Sequence, residues 1–209
     1  MRKMRIAALI LLAAAVPVAA SLAVRNHRSP AAIARAQVEE EKGFFLNLLT
    51  VQADSYWHKG DYENCVRMLT LQTELDPHWL EPYDQAGWLL WSMKRLEAAE
   101  EIYKRGIANN PDTYRLYFEL GHMYYRTARP SLYEKTGEES RRLFEKAAEQ
   151  LYLAVRRPCP GNVDRLLAHA LHQLGRYAEE RQVLQNLLKK NPTDALAQRD
   201  LKRLQEMGK

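Results

Sequence analysis

From Tyr83 to Gly106 the apolar and small residues fall on two stripes with helical spacing, separated by a short polar break. Tyr83, Ala86, Gly87 and Leu90 share one face of a first helix; beyond Lys94-Arg95, Leu96, Ala99, Tyr103 and Gly106 share a face of the next. Gly87 and Ala99 are small enough to let the two helices approach closely. Asn109-Asn110-Pro111 closes the second helix, because proline lacks an amide donor and drives the preceding residue out of helical conformation. Such a pair has more apolar face than it buries alone, so it must stack on a neighbour.

The pattern recurs. Pro77 and Pro111, Tyr83 and Tyr117, Gly87 and Gly121, Cys65 and Ala99, and Leu69 and Tyr103 are each 34 residues apart. Gly60, Tyr62 and Pro77 return at the same mutual spacing as Gly175, Tyr177 and Pro192. A fixed period of this length marks a repeat array. One interval is longer: Ala99 and Ala147 are 48 apart, which places 14 extra residues near 126–140. They read as a surface insertion, with Thr136 and Glu139 spaced like a capping box that opens the next helix. Beyond Pro192, an amphipathic stretch starting near Asp194 predicts a terminal helix that covers the last interface.

These residues resemble the tetratricopeptide-repeat family. Tyr117-x-x-Leu120-Gly121-x-x-Tyr124 stands in the place of that family's aromatic, Leu-Gly and Tyr signature, and Ala99-x-x-x-Tyr103 with Pro111 matches its later half. The first unit keeps Tyr56, Gly60, Tyr62, Cys65, Leu69 and Pro77, but Gln52-Ala53 replaces Leu-Gly. The last keeps Leu167-Ala168, Leu171, Gly175, Tyr177, Leu184 and Pro192, yet has Glu180 where a small residue is expected. That departure predicts a local shift or an exposed final helix. The resemblance implies an all-α superhelix, a solenoid of about four helix pairs. Its units are 46–79, 80–113, 114–160 with the insertion, and 161–193, preceded by a linker or leading helix over 31–45 and followed by a capping helix over 194–209.

The resemblance further implies that the first helix of each pair lines a concave groove. The stripe beside the core stripe holds Thr50, Asp54 and Trp57; Asp84, Trp88 and Trp91; Phe118, His122 and Tyr125; and Arg165, His169 and His172. From Trp57 onward this set, without the polar Thr50 and Asp54, forms the candidate partner-binding residues, and it suits an apolar or aromatic peptide or a partner helix. Trp88 and Trp91 lie off the core stripe, and helical spacing alone leaves open whether they face the groove or pack on the adjacent unit. Family members that clamp a terminal carboxylate place Lys, Asn and Arg here; Asp54 and Asp84 argue against that use.

Charge adds a targeting segment rather than a ligand. The chain of 209 residues has a formal net charge of +5, but 1–30 contains five basic residues and no acid. The remainder is therefore balanced, without the basic footprint of a nucleic-acid binder. Within 1–30 the uncharged run 6–24 follows a basic start, as in an export signal cut before Ser21 or an uncleaved anchor in contact with the membrane. Either places the rest outside the cytoplasm. Of the two cysteines, Cys65 reads as a buried free thiol. His169 and His172 are one turn apart, but no third ligand accompanies them, so they read as packed or solvated; no metal or cofactor is expected. Nucleophile elbows, phosphate-binding glycine loops and dinucleotide fingerprints are absent. The expectation is a non-enzymatic scaffold or assembly adaptor that binds another protein; the resemblance implies envelope or secretion work of a bacterial kind. The alternatives are a self-associating structural subunit and, behind it, a binder of a small ligand or metal.

Overall fold

Three turns repeat one backbone solution. Gly60 (φ 72°), Lys94 (φ 62°) and Gly175 (φ 71°) each adopt the left-handed conformation immediately after a helix. In each case the next amide bonds back five residues, Asp61 to Tyr56, Arg95 to Leu90 and Arg176 to Leu171, all at 2.9 Å. The left-handed residue's own amide reaches the carbonyl three residues before it. This is the Schellman arrangement, which satisfies the orphan carbonyls of a helix end and reverses the chain. Glycine suits it because it has no Cβ; the second unit uses Lys94 in its place.

The computed structural model describes residues 29–129 and 137–208. The apolar run 6–24 and residues 130–136, including the Thr136 end of the expected capping box, lie outside the described residues. Among the described residues nine helices run in order: α1 Pro30–His58, α2 Tyr62–Leu75, α3 Leu80–Ser92, α4 Leu96–Asn109, α5 Arg115–Ala128, α6 Gly137–Val155, α7 Gly161–Gln173, α8 Tyr177–Lys190 and α9 Ala195–Glu206. No strand occurs among the described residues, so the protein is all-α. None of these helices is long and apolar enough to cross a membrane. Two compact units are distinguished, one ending at Leu48 and the other beginning at Leu49.

In the first unit α1 opens at Pro30, where a missing amide costs nothing, and the Ser29 hydroxyl accepts from the Ala32 amide at 3.2 Å. Phe44 and Phe45 meet edge to face at 5.8 Å. In the second unit each helix from α2 to α9 packs on the next, and α3 also touches α5, as α5 touches α7. Asp61 caps α2 by accepting from the Asn64 amide, and Asp194 caps α9 by accepting from Ala197. The other ends are blunt: Asp76, Asn110 and Asn191 each turn a last amide back into the helix, and Pro77, Pro111 and Pro192 follow.

Tyr83, Tyr103, Tyr117 and Tyr124 all lie in the core, as their spacing predicts. The small residues make room for these rings more than for a neighbouring backbone. A Cβ on Gly87 would lie 2.4 Å from the Tyr103 ring, and one on Gly106 would meet Leu116 and the Tyr83 ring. Gly121 plays the same part for Leu151, which with Ala147 and Ala154 is fully buried.

Glu180 is a correction. It occupies the position filled by Cys65, Ala99 and Ala147 in the other units, yet it is neither shifted nor exposed: its exposure is 0%. His172 Nδ1 lies 2.9 Å from one carboxylate oxygen and Arg203 Nη2 lies 3.3 Å from the other. The capping helix α9 thus supplies the cation that lets a carboxylate sit inside, where an unpaired charge would be prohibitive.

Candidate partner-binding face

The face carried by α3, α5, α7 and the C-terminal turns of α1 holds the residues singled out by their position beside the core stripe. Trp57 and Trp88 are 43% and 47% exposed, and their ring centroids are 6.0 Å apart. One period further on, Trp91 and His122 stand at 6.5 Å, and Phe118 stacks on His122 at 5.8 Å with 14° between planes. The same register therefore builds a ring contact between first helices twice.

The two tryptophans of α3 separate. Trp88 is exposed, whereas Trp91 is half-buried against the core and its indole N–H donates to Thr127 Oγ1 at 3.0 Å. Thr127 in turn donates to the Met123 carbonyl, so Trp91 is anchored from below. Tyr125 likewise leans edge-on against Phe144 at 5.5 Å. Arg165 pairs with the capping carboxylate of Asp194. His169 faces the buried Asp200 at 3.2 Å, and His172 is taken by Glu180. Because each histidine is committed to a different carboxylate, the pair does not converge on one point. Among the described residues no group of three or more His, Cys, Asp or Glu is placed to hold a metal ion. Cys65 is buried and free, and burial pushes its thiol above the ordinary range.

A cavity of about 590 Å³ opens at the start of this face, bounded by α1, α2 and α3. Its inner wall is apolar, with Ala53, Leu69 and Leu89; Thr50 and Gln72 close one side through a 2.8 Å bond from the Gln72 amide to the Thr50 hydroxyl. Its remaining lining includes Trp57, Trp79 and Trp88 with Asp54, Glu81 and Asp84. Thr50 and Ala53, both in its lining, stand where the second unit has Asp84 and Gly87.

Arg115 enters from α5 and bonds Glu81 at 2.6 Å and Asp84 at 3.1 Å. The guanidinium holds the half-buried Glu81 carboxyl below its usual range. Asp84 goes the other way: burial, aided by Glu119, raises its carboxyl despite the same guanidinium. Trp79, Glu81 and Arg115 are neighbours of the candidate face that helical spacing did not select. Glu81 and Arg115 are 34 residues apart, so the repeat itself carried the signal.

Models described as tetratricopeptide repeat match residues 46–78 and 85–163. No curated protein matches the sequence. Among solved structures, a MamA protein superposes with a TM-score of 0.56 at 14% identity, covering 78% of this chain and 82% of that one. MamA from Desulfovibrio magneticus superposes at 0.54 and 14%, covering 78% and 85%. Pseudomonas aeruginosa PilF superposes at 0.55 and 15%, covering 82% and 71%. At these identities the likeness is one of fold.

Proposed function

This chain belongs to the tetratricopeptide-repeat family, and from that premise we propose that it is a non-enzymatic scaffold or assembly adaptor that works outside the cytoplasm. Its first-helix face binds a segment of another protein, an extended peptide or a helix. The observation that carries the reading is the exposed Trp57–Trp88 pair, continued in register by Trp91 and His122. Large exposed rings held side by side cost solvation in the free protein, and such patches mark contact surfaces. The extracytoplasmic placement rests on the uncharged run 6–24 behind a basic start.

A photo-crosslinking amino acid placed at Trp88, and at the exposed Glu97 of α4 as a control, tests the face in the native cell. The expected result is a discrete set of proteins captured from position 88 and not from 97. Capture of the same proteins from both, or none from 88, would overturn the reading. A topology reporter fused after Met207 should be active only outside the cytoplasm; activity inside would overturn that part alone.

A further inference from the structure

Resting on the partner-binding reading of this face, the cavity between α1, α2 and α3 has a chemistry that narrows its occupant. Three of the chain's four tryptophans line it, together with Asp54, Glu81 and Asp84, and no Lys or Arg does so. Aromatic faces and carboxylates share one kind of complement, a cation, whereas an acidic or purely apolar segment would leave the carboxylates unpaired as it covered them.

The guanidinium bound to two of these carboxylates does not discharge this need. Arg115 is shared between Glu81 and Asp84. Asp84 still feels burial and Glu119 more strongly than that guanidinium, so a further positive charge would lower its cost. Asp54 is exposed, with His58 as its neighbour at 3.5 Å. Behind this charged mouth the wall is apolar, which suits a bulky apolar side chain next to the cation.

We propose that the cavity is a subsite for a basic, amphipathic segment of a partner protein: an Arg or Lys side chain seated against Trp57 and Trp88 with Asp54 as counter-ion, and an adjacent apolar side chain directed inward. The subsite selects on charge at one end of the face, and the aromatic ladder beyond it accepts the rest of the segment.

Three capped octapeptides test this with the full chain: Gly-Ser-Leu-Arg-Leu-Arg-Gly-Ser, and its twins with Gln or Glu in place of Arg. Tryptophan fluorescence reads binding, because the cavity holds Trp57, Trp79 and Trp88. The Arg peptide should bind about tenfold or more tighter than the Gln twin, the Glu twin should not bind, and the preference should shrink as salt rises. Asp54→Asn should abolish most of the preference, and because Asp54 is exposed this change leaves the fold intact, as circular dichroism would confirm. Trp88→Leu should weaken the Arg and Gln peptides together. Equal binding of the Arg and Gln peptides would overturn the cation subsite and leave the face as an apolar groove. Arg-peptide binding that survives both substitutions would place it elsewhere and overturn the proposal. If no peptide binds while position 88 still crosslinks a partner, the cavity is not a subsite although the face is an interface.

Discussion

Gly87→Ala is the sharpest test of how the helix pairs are packed. The added Cβ would lie 2.4, 2.6 and 2.8 Å from three carbons of the Tyr103 ring, where ordinary contact begins at 3.4 Å. Relief requires the ring to retreat by about 1 Å, and two features oppose it. Tyr103 is 2% exposed, so no path leads to solvent, and its hydroxyl donates to the Asp84 carbonyl at 3.4 Å. Overpacking of this kind costs about 1–3 kcal/mol, and the pinned ring places it near the upper end. Alanine returns about 1 kcal/mol of helix propensity. The net loss is about 2 kcal/mol, or roughly 4–8 °C in Tm for a chain of this size. Urea denaturation followed by circular dichroism measures it. Tyr103→Leu removes the clashing atoms, so the double variant should lose about 1 kcal/mol less than the two single losses added together. Gly43→Ala, where a Cβ meets nothing within 4 Å, should leave the midpoint at or above that of the parent. A parent-like midpoint for Gly87→Ala, or strictly additive losses, would refute the packing account.

Four further outcomes are expected. Lys94→Gly places glycine at the left-handed position held by Gly60 and Gly175, and should stabilise by about 0.5–1 kcal/mol in the same urea assay; a loss would mean the Lys94 side chain stabilises more than its backbone costs. Arg203→Ala should cost about 2–3 kcal/mol and Glu180→Ala only about 1, because the first leaves a fully buried carboxylate with His172 alone while the second leaves partners that reach water; the reverse order would refute this. Arg176 and then Tyr152 hold the Glu179 carboxyl below its usual range, so that contribution is complete above about pH 4.5 and is lost as pH falls through the lower, folded value. Glu179→Gln should therefore flatten the acid limb of a stability–pH curve. Burial and the Glu179 hydrogen bond push Tyr152 from 10 up to about 12, so its contribution is complete below about pH 10 and is lost as pH rises through the folded value, and Tyr152→Phe should remove that alkaline limb.

Much of the architecture is legible in the amino-acid sequence. The 34-residue period, the helix ends at Pro77, Pro111 and Pro192, the reversals at Gly60 and Gly175, and the buried tyrosines all depend on residues within one or two turns of each other. Local sterics and amide satisfaction decide them, so a linear pattern suffices. The candidate face was legible only as a stripe. Trp88 and Trp91 are three residues apart on one helix and have the same chemistry, but Thr127 on the next unit holds Trp91 by its indole N–H while Trp88 stays exposed beside Trp57.

What the chain determined by itself is the repeat: which segments are helices, where they turn, and which side of each faces its partner. What only the tertiary structure decided is the environment of particular side chains. Glu180 is buried because α9 brings Arg203 to it from 23 residues away, the Asp84 carboxyl is raised because burial and then Glu119 on α5 outweigh the Arg115 guanidinium from the same helix, and three tryptophans meet three carboxylates because α1, α2 and α3 enclose one space. Charge and solvation depend on everything within several ångströms, whichever part of the chain supplies it, and helical periodicity records only one helix at a time.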